Sequence, residues 1–306
     1  MILVGQSLQF RRGALSSAFA QDDRALVAAA ARAQVEAGAQ ALDLNFGIDP
    51  PPDEIPWAVD AVRKACPDVP LWVDAGRPSA LTAALNACVR DGVAGPLVAN
   101  SLPAGAGMGV ADEALVRAAA AAGAGLVVSP RRVDRDPAGD SDLEPVMHEA
   151  TEAARGAVAL GVSPPFFVDA LVYPAMKDPQ GVRRSLALLR VFRRRPDLVP
   201  LAAVGNIAFG APGPLAAALR TVYAAAAAGA GAGALILPVE DAACMRAVRL
   251  ALGEVTPVGA AEAWLCAVAA STSRGELPPP APERYREAAR LIFRAGRAGV
   301  APDEVG

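Results

Sequence analysis

Short apolar segments that close on Gly, Asp, Asn or Ser recur along this chain, and an amphipathic stretch of about a dozen residues follows each of them. That alternation points to an α/β fold with a parallel sheet, because a parallel strand is reached only through a crossover, usually a helix. The candidate strands are residues 2–5, 41–45, 71–74, 97–100, 126–129, 166–169, 201–205 and 234–237. Their starts lie roughly 26 to 40 residues apart, which suits one strand, one helix and two loops per unit. Eight such units close a barrel. With 306 residues, 53% of them hydrophobic, the chain can bury one large core, so a single (β/α)8 TIM barrel over residues 1–275 is expected.

Helix ends are marked by the Ala-Gly-Ala triplets at 37–39, 122–124 and 228–230, which place Gly where a left-handed C-cap is needed. The run Ala224 to Ala228 reads as helix, since alanine has the best helix propensity. Past the eighth strand come extra C-terminal helices around 242–252 and 260–270, the break Pro278-Pro279-Pro280, and a basic amphipathic helix over about 283–298. Residues 276–306 therefore form a proline-linked helical extension, expected to pack outside the barrel or on a neighbouring subunit. The loop 131–142, dense in Arg, Asp, Pro and Gly, follows the fifth strand and is expected to be mobile and placed to cover a pocket.

The formal net charge is -3, with basic and acidic residues spread along the chain, so nucleic acid is not an expected partner. No apolar run reaches the roughly 18 uncharged residues of a membrane span, and no charged segment precedes the first apolar stretch; a soluble, cytoplasmic protein is expected. Cys66, Cys88, Cys244 and Cys266 are widely spaced within apolar helical patterns, which fits small buried hydrophobes and neither a disulfide framework nor a zinc site. No metal is expected on this chain. The only histidine, His148, falls in a helical pattern and reads as a surface or core residue, not a catalytic base.

In a barrel of this kind the polar residues that end the strands line the functional face. Gln6 follows the first candidate strand; Asp43 and Asn45 close the second, Asp74 the third, Asn100 and Ser101 the fourth, Ser129 the fifth, Asp169 the sixth and Asn206 the seventh. Any one of them could cap the next helix. Asp74 and Asp169 do not look like caps: the helix after Asp74 begins only near residues 78–79, and Asp169 runs into apolar Ala-Leu-Val-Tyr-Pro. A ring of Asp and Asn with almost no Lys, Arg or His suits a ligand rich in N–H donors and C=O acceptors but poor in charge. A 2-amino-4-oxo-pyrimidine edge is such a ligand, since a carboxylate accepts two parallel bonds from it and an amide both gives and receives.

The segments A-L-D-L-N-F-G (41–47), L-W-V-D (71–74), V-A-N-S (98–101), F-F-V-D-A-L-V-Y-P (166–174) and V-G-N-I (204–207) resemble, in order and approximate spacing, those of the pterin-binding TIM-barrel family. The nearest likeness within it is to the methyltetrahydrofolate:corrinoid/iron–sulfur protein methyltransferases, over about residues 1 to 270. The resemblance implies that Asp74, Asn100 and Asp169 hold the pterin ring, with Asp43, Asn45, Ser101 and Gln6 completing the pocket. It makes Asn206 the catalytic amide at the methyl-bearing nitrogen. It implies methyltetrahydrofolate or a related pterin as substrate, a corrinoid (cobalamin) as methyl acceptor, and a homodimer formed through outer helices, for which the alanine-rich helix 216–228 offers a surface. No Asp-x-His-x-x-Gly motif occurs, so the corrinoid would arrive on a separate protein.

The chain departs from the family where the usual G-E-R-I-N opening is Gly5-Gln6-Ser7-Leu8-Gln9, where Asp74 is followed by Ala75-Gly76, and where Asn206 is followed by an apolar run. Two alternatives follow. One is a dihydropteroate-synthase-like enzyme, although the Lys-Gly and Arg-x-His cations of its seventh and eighth strands are missing here. The other is a non-catalytic pterin- or folate-binding subunit.

Overall fold

The computed structural model describes residues 1–51, 53–92, 95–105, 108–130 and 140–293. Eight strands, β1 (Ile2–Gln9), β2 (Ala41–Asn45), β3 (Leu71–Asp74), β4 (Leu97–Pro103), β5 (Gly125–Ser129), β6 (Phe166–Asp169), β7 (Leu198–Ala203) and β8 (Ala234–Leu237), close into a parallel barrel in sequence order. The seam pairs Ile2 with Ala234 and Gly5 with Leu237. Around it run α1 (Arg24–Glu36), α2 (Glu54–Ala65), α3 (Pro78–Arg90), α4 (Val110–Ala121), α5 (Glu144–Ala159), α6 (Pro179–Phe192), α7 (Gly213–Ala230) and α8 (Ala242–Ala251), with α9 (Gly259–Arg274) and α10 (Arg286–Phe293) beyond. This is the (β/α)8 barrel the sequence predicts.

Strand alternation sorts the side chains. Val4, Ala41, Trp72, Val98, Val127, Phe167, Leu201, Ala234 and Ile236 form one cluster inside the barrel, while their neighbours Leu42, Leu71, Leu126, Phe166, Val168 and Leu235 belong to the shell beneath the helices. Trp72 and Phe167 meet across the bore with ring centroids 4.4 Å apart at 52°. This aromatic pair fills the bore, so any cavity must lie above it.

Strands β2, β3, β6 and β8 have the expected bounds; the others differ for local reasons. In β1 the register shifts between Gly5 and Leu8, and pairing resumes with Leu8 on Leu44 and Gln9 on Asn45. A bulge of this kind extends a strand that alternation alone ends at residue 5. Gln6 therefore lies within β1, not after it. A similar shift between Asn100 and Leu102 carries β4 on to Pro103. β5 begins one residue earlier, at Gly125, and β7 begins at Leu198 and stops at Ala203 because Val204–Ala208 winds into a 3-10 turn.

Gly38 (φ 104°) and Gly123 (φ 60°) are left-handed where helices α1 and α4 end, as the Ala-Gly-Ala reading requires. Gly229 is different. It lies inside α7, whose C-cap is Gly231 at φ 101°. A Cβ on Gly229 would stand 2.2 Å from the Ala269 carbonyl oxygen of α9. The third glycine thus serves helix packing, and α9 settles against α7, where the Thr272 hydroxyl donates to the Ala226 carbonyl at 3.0 Å. Ala224 to Ala228 are buried within the chain by this packing and by α10. Of the alanine stripe 216–228, residues 224–228 are covered by the chain's own helices, while Ala216, Ala217 and Ala218 stay half-buried.

The proline run is no free tether: the Trp264 indole N–H donates to the Pro279 carbonyl at 2.9 Å, and the Trp264 ring stacks on Tyr285. Of the helix expected over 283–298, Glu283–Tyr285 is a 3-10 turn and α10 ends the described residues at Phe293. Residues 131–139 of the proposed covering loop, and those after 293, lie outside the described residues. Cys66, Cys88 and Cys244 are buried and Cys266 is half-buried, all of them as free thiols. Among the described residues no helix is long and apolar enough to cross a membrane, and no cluster of metal-ligating side chains occurs. His148 is exposed on α5.

Replacing Gly229 by Ala raises helix propensity by roughly 1 kcal/mol, yet overpacking of α9 costs about 1–3 kcal/mol or more. Net destabilisation of Gly229→Ala in urea unfolding is the expected outcome; a variant as stable as the parent contradicts this packing.

Candidate functional site

Two residues beyond an inward-facing core residue, a strand points inward again. Trp72 is thus followed by Asp74, Phe167 by Asp169, Val98 by Asn100, and Ala41 by Asp43 and then Asn45. These side chains meet at the C-terminal mouth around a cavity of about 210 Å³, lined by Gln6, Gln9, Asp43, Asn45, Asp74, Asn100, Ser101, Asp169, Leu201, Ala203, Asn206 and Ile236. All eight residues singled out from the sequence as site candidates stand on this one wall. Ser129, the strand-end residue of β5, does not.

The register explains the contacts. Asn45 pairs with Asp74 across β2 and β3, and Asp74 with Asn100 across β3 and β4. The Asn45 amide nitrogen donates to the Asp74 carboxylate at 2.5 Å, and its oxygen accepts the Gly47 N–H at 3.1 Å, which fixes the way the amide faces. Asn100 hydrogen-bonds the buried Asp43, whose Oδ1 has no partner. Asp169 accepts the N–H of Leu171 at 2.9 Å, and this bond holds Leu171 at a positive φ of 55°. Neither Asp74 nor Asp169 caps a helix: the N-cap positions of α3 and α6 are Arg77 and Asp178.

Close backbone approaches seat the rest. A Cβ on Gly205 would fall 2.4 Å from the Gln6 side chain, so only glycine lets that amide lie against the turn carrying Asn206. Gln34 of α1, itself buried, accepts the Ser7 N–H at 2.8 Å and holds the β1 bulge open. Asn206 is exposed at the mouth, and its amide has no partner among the described residues.

Three carboxyl groups share this cavity, and among the described residues no Lys, Arg or His lines it. Burial pushes Asp74 up to about 7, with the charge of Asp169 adding to the effect and the Asn45 bond opposing it. Burial likewise raises Asp169 to about 6 against the Leu171 bond. Asp43 is raised well above the usual carboxylate range, by burial first and by Asp74 second. The cavity is therefore a desolvated acceptor surface that favours protons or N–H donors.

Sequence reasoning missed the lip of the mouth. Arg12 follows β1, Lys177 follows β6, and Phe209 follows the turn of Asn206; the two cations lie 5.2 Å and 5.4 Å from the centre of the Phe209 ring. Nothing in strand periodicity could have found them, because they sit on separate loops that only barrel closure brings together.

Residues 14–239 match the family described as pterin binding enzymes. Solved structures with this fold include dihydropteroate synthase from Yersinia pestis, at 16% identity, TM-score 0.57, over 83% of this chain and 92% of that one. The enzyme of Thermus thermophilus superimposes with 21% identity and TM-score 0.51 over 82% and 92% of the two chains. That of Xanthomonas albilineans gives 19%, 0.54, 84% and 94%. At such identities the likeness is one of fold. These neighbours are synthases, not the corrinoid-dependent methyltransferases that the sequence resemblance put first. No curated protein matches the sequence.

The raised carboxyl groups link the site to stability. The folded Asp169 holds its proton up to about pH 6, whereas an unfolded chain releases it near pH 4, so ionisation destabilises the fold increasingly from pH 4 to 6 and fully above. Asp169→Asn, neutral throughout, should therefore stabilise the ligand-free protein at pH 8, by on the order of 2 kcal/mol. Thermal melts should show this gain shrink as the pH is lowered from 6 to 4; a gain independent of pH rules the linkage out.

Proposed function

The chain belongs to the pterin binding enzyme family, and from that premise we propose that its mouth cavity binds a reduced pterin by the 2-amino-4-oxo-pyrimidine edge and supports group transfer at the opposite side of the ring. The convergence of Asp74, Asn100 and Asp169 on one cavity, with no basic residue among its described lining, carries this reading. An ionised carboxylate accepts the ring N–H and the exocyclic amine together, and Asn100 can give to one ring atom while receiving from its neighbour. Asp43, buried with an unpaired oxygen, lies beneath that edge as a further acceptor, or as a donor when protonated. Trp72 and Phe167 close the floor, so the ring can enter only from the mouth.

Two transfers suit a pterin held in this way. The first is a dihydropteroate-synthase-like condensation, and the synthases among the fold neighbours support it. The second is methyl transfer from methyltetrahydrofolate to a corrinoid carried on a separate protein, and Asn206 favours it. A tertiary amine leaves readily only as the protonated form, so the site must favour positive charge at the methyl-bearing nitrogen. The Asn206 amide oxygen, exposed at the mouth and unpartnered among the described residues, can accept a hydrogen bond from that protonated nitrogen. A cavity wall of carboxyl groups, with no cation among the described residues, favours the same charge.

Calorimetric titration with tetrahydrofolate and methyltetrahydrofolate tests the binding. Asp169→Asn should weaken both by about tenfold or more, since one acceptor is lost and a misplaced donor gained; unchanged affinity in a folded variant sinks the pocket assignment. Turnover then separates the reactions: consumption of a dihydropterin diphosphate with 4-aminobenzoate marks the synthase, and methylation of a reduced corrinoid marks the methyltransferase. Tight binding with neither product leaves a binding subunit. If methyl transfer is seen, Asn206→Ala should slow it roughly tenfold or more while leaving folate affinity near that of the parent.

A further inference from the structure

The charge of the barrel mouth reverses between the cavity and its lip. Inside are three carboxyl groups and, among the described residues, no cation. At the lip, Phe209 is 46% exposed, with the Arg12 guanidinium 5.2 Å and the Lys177 ammonium 5.4 Å from its ring centre. Backbone bonds anchor these residues to the cavity wall. The Arg12 N–H donates to the Gln9 carbonyl at 3.3 Å, the Phe209 N–H to the Asn206 carbonyl at 3.2 Å, and the Ala175 N–H, two residues before Lys177, to the Ile207 carbonyl at 2.9 Å. Gln9 and Asn206 themselves line the cavity.

Nearby cations are neutralised by acids. Arg11, adjacent in sequence, is held by Glu54; Arg77 faces Asp49 at 3.7 Å; Arg184 binds Asp178 at 2.6 Å. Arg12 and Lys177 have no acidic partner among the described residues. Two like charges drawn to one exposed ring repel each other, and an anion between or beside them relieves that repulsion. A ligand matched to the whole mouth thus has a donor-rich heterocycle at one end and an acidic group at the other.

We propose that Arg12 and Lys177, carried on Phe209, form an anion subsite that binds an acidic group attached to the pterin. The proposal rests on the reading that the cavity takes a pterin ring. The shared chemistry is an oxyanion, either the carboxylates of a glutamyl tail or the phosphates of a dihydropterin diphosphate. The guanidinium offers paired N–H donors to either, and the ammonium adds a mobile point charge. The subsite supplies the positive charge that β7 and β8 lack, from loops that follow β1 and β6.

The test compares three ligands by calorimetry: 6-methyltetrahydropterin, which has no acidic group, tetrahydrofolate, and 6-hydroxymethyl-dihydropterin diphosphate. Each is titrated into the parent protein and into the Arg12→Gln/Lys177→Gln double variant; both positions are exposed, and thermal melting checks the fold. The expected result is that the double variant loses roughly tenfold or more in affinity for one or both acidic ligands, with 6-methyltetrahydropterin within about twofold of the parent. Which acidic ligand suffers identifies the oxyanion. The parent's preference for that ligand should also shrink at high salt. Equal affinities in parent and variant for both acidic ligands, or an equal loss for all three, overturns the subsite while leaving the pterin reading standing. A parent protein that binds 6-methyltetrahydropterin no better than background overturns the pterin reading, and the subsite with it.

Discussion

Side chains on a strand alternate in direction, and in a closed barrel only one of the two directions leads to the bore. From this constraint the site follows. Once Trp72 and Phe167 interlock across the axis, Asp74 and Asp169 must face each other's space one layer higher. Asn100 and Asp43 are carried to the same height by the parallel register, which sets Asp74 beside Asn100 and Asn45 beside Asp74. The aromatic pair also ends the cavity below, so the polar layer faces one opening.

Placing three carboxyl groups in that layer, with no cation among the described residues, works against stability. Water is displaced from them by the barrel wall, and the nearest compensation is a small set of hydrogen bonds from Asn45, Asn100 and the Leu171 backbone. Such acceptors are matched by N–H donors, which is the chemistry of the heterocycle proposed above. A buried acceptor without a donor, as at Asp43 Oδ1, is costly in a resting protein and useful in a binding one. Arg12 and Lys177 do not line this cavity, and neither acts on the charge of Asp43, Asp74 or Asp169, so the two charge zones do not neutralise each other.

The C-terminal helices answer a different need. An outer barrel helix composed largely of alanine has little side-chain bulk with which to cover itself, and α7 is such a helix. Gly229 lets the α9 backbone approach closely, and Trp264 and Tyr285 then fasten the proline segment over the same flank. The C-terminal half of the alanine stripe is thereby covered from within the chain, and its first turns, Ala216 to Ala218, stay half-buried.

Alternation of apolar segments with amphipathic stretches was enough to determine eight strand-plus-helix units, because both periods are written locally in the chain. Polar residues at or near the ends of apolar segments, Asp43, Asn45, Asp74, Asn100 and Asp169, were legible as candidates for the functional face, and the resemblance to the pterin-binding family gave them roles. Three other features were not legible. The bulge that draws Gln6 into β1 depends on pairing with β2, and the role of Gly229 depends on a helix thirty or more residues away in sequence. The meeting of Arg12, Lys177 and Phe209 depends on barrel closure, which brings together loops after β1, β6 and β7. A residue's direction along its own strand is set by the backbone next to it, whereas its partners across the mouth are set by the tertiary structure alone.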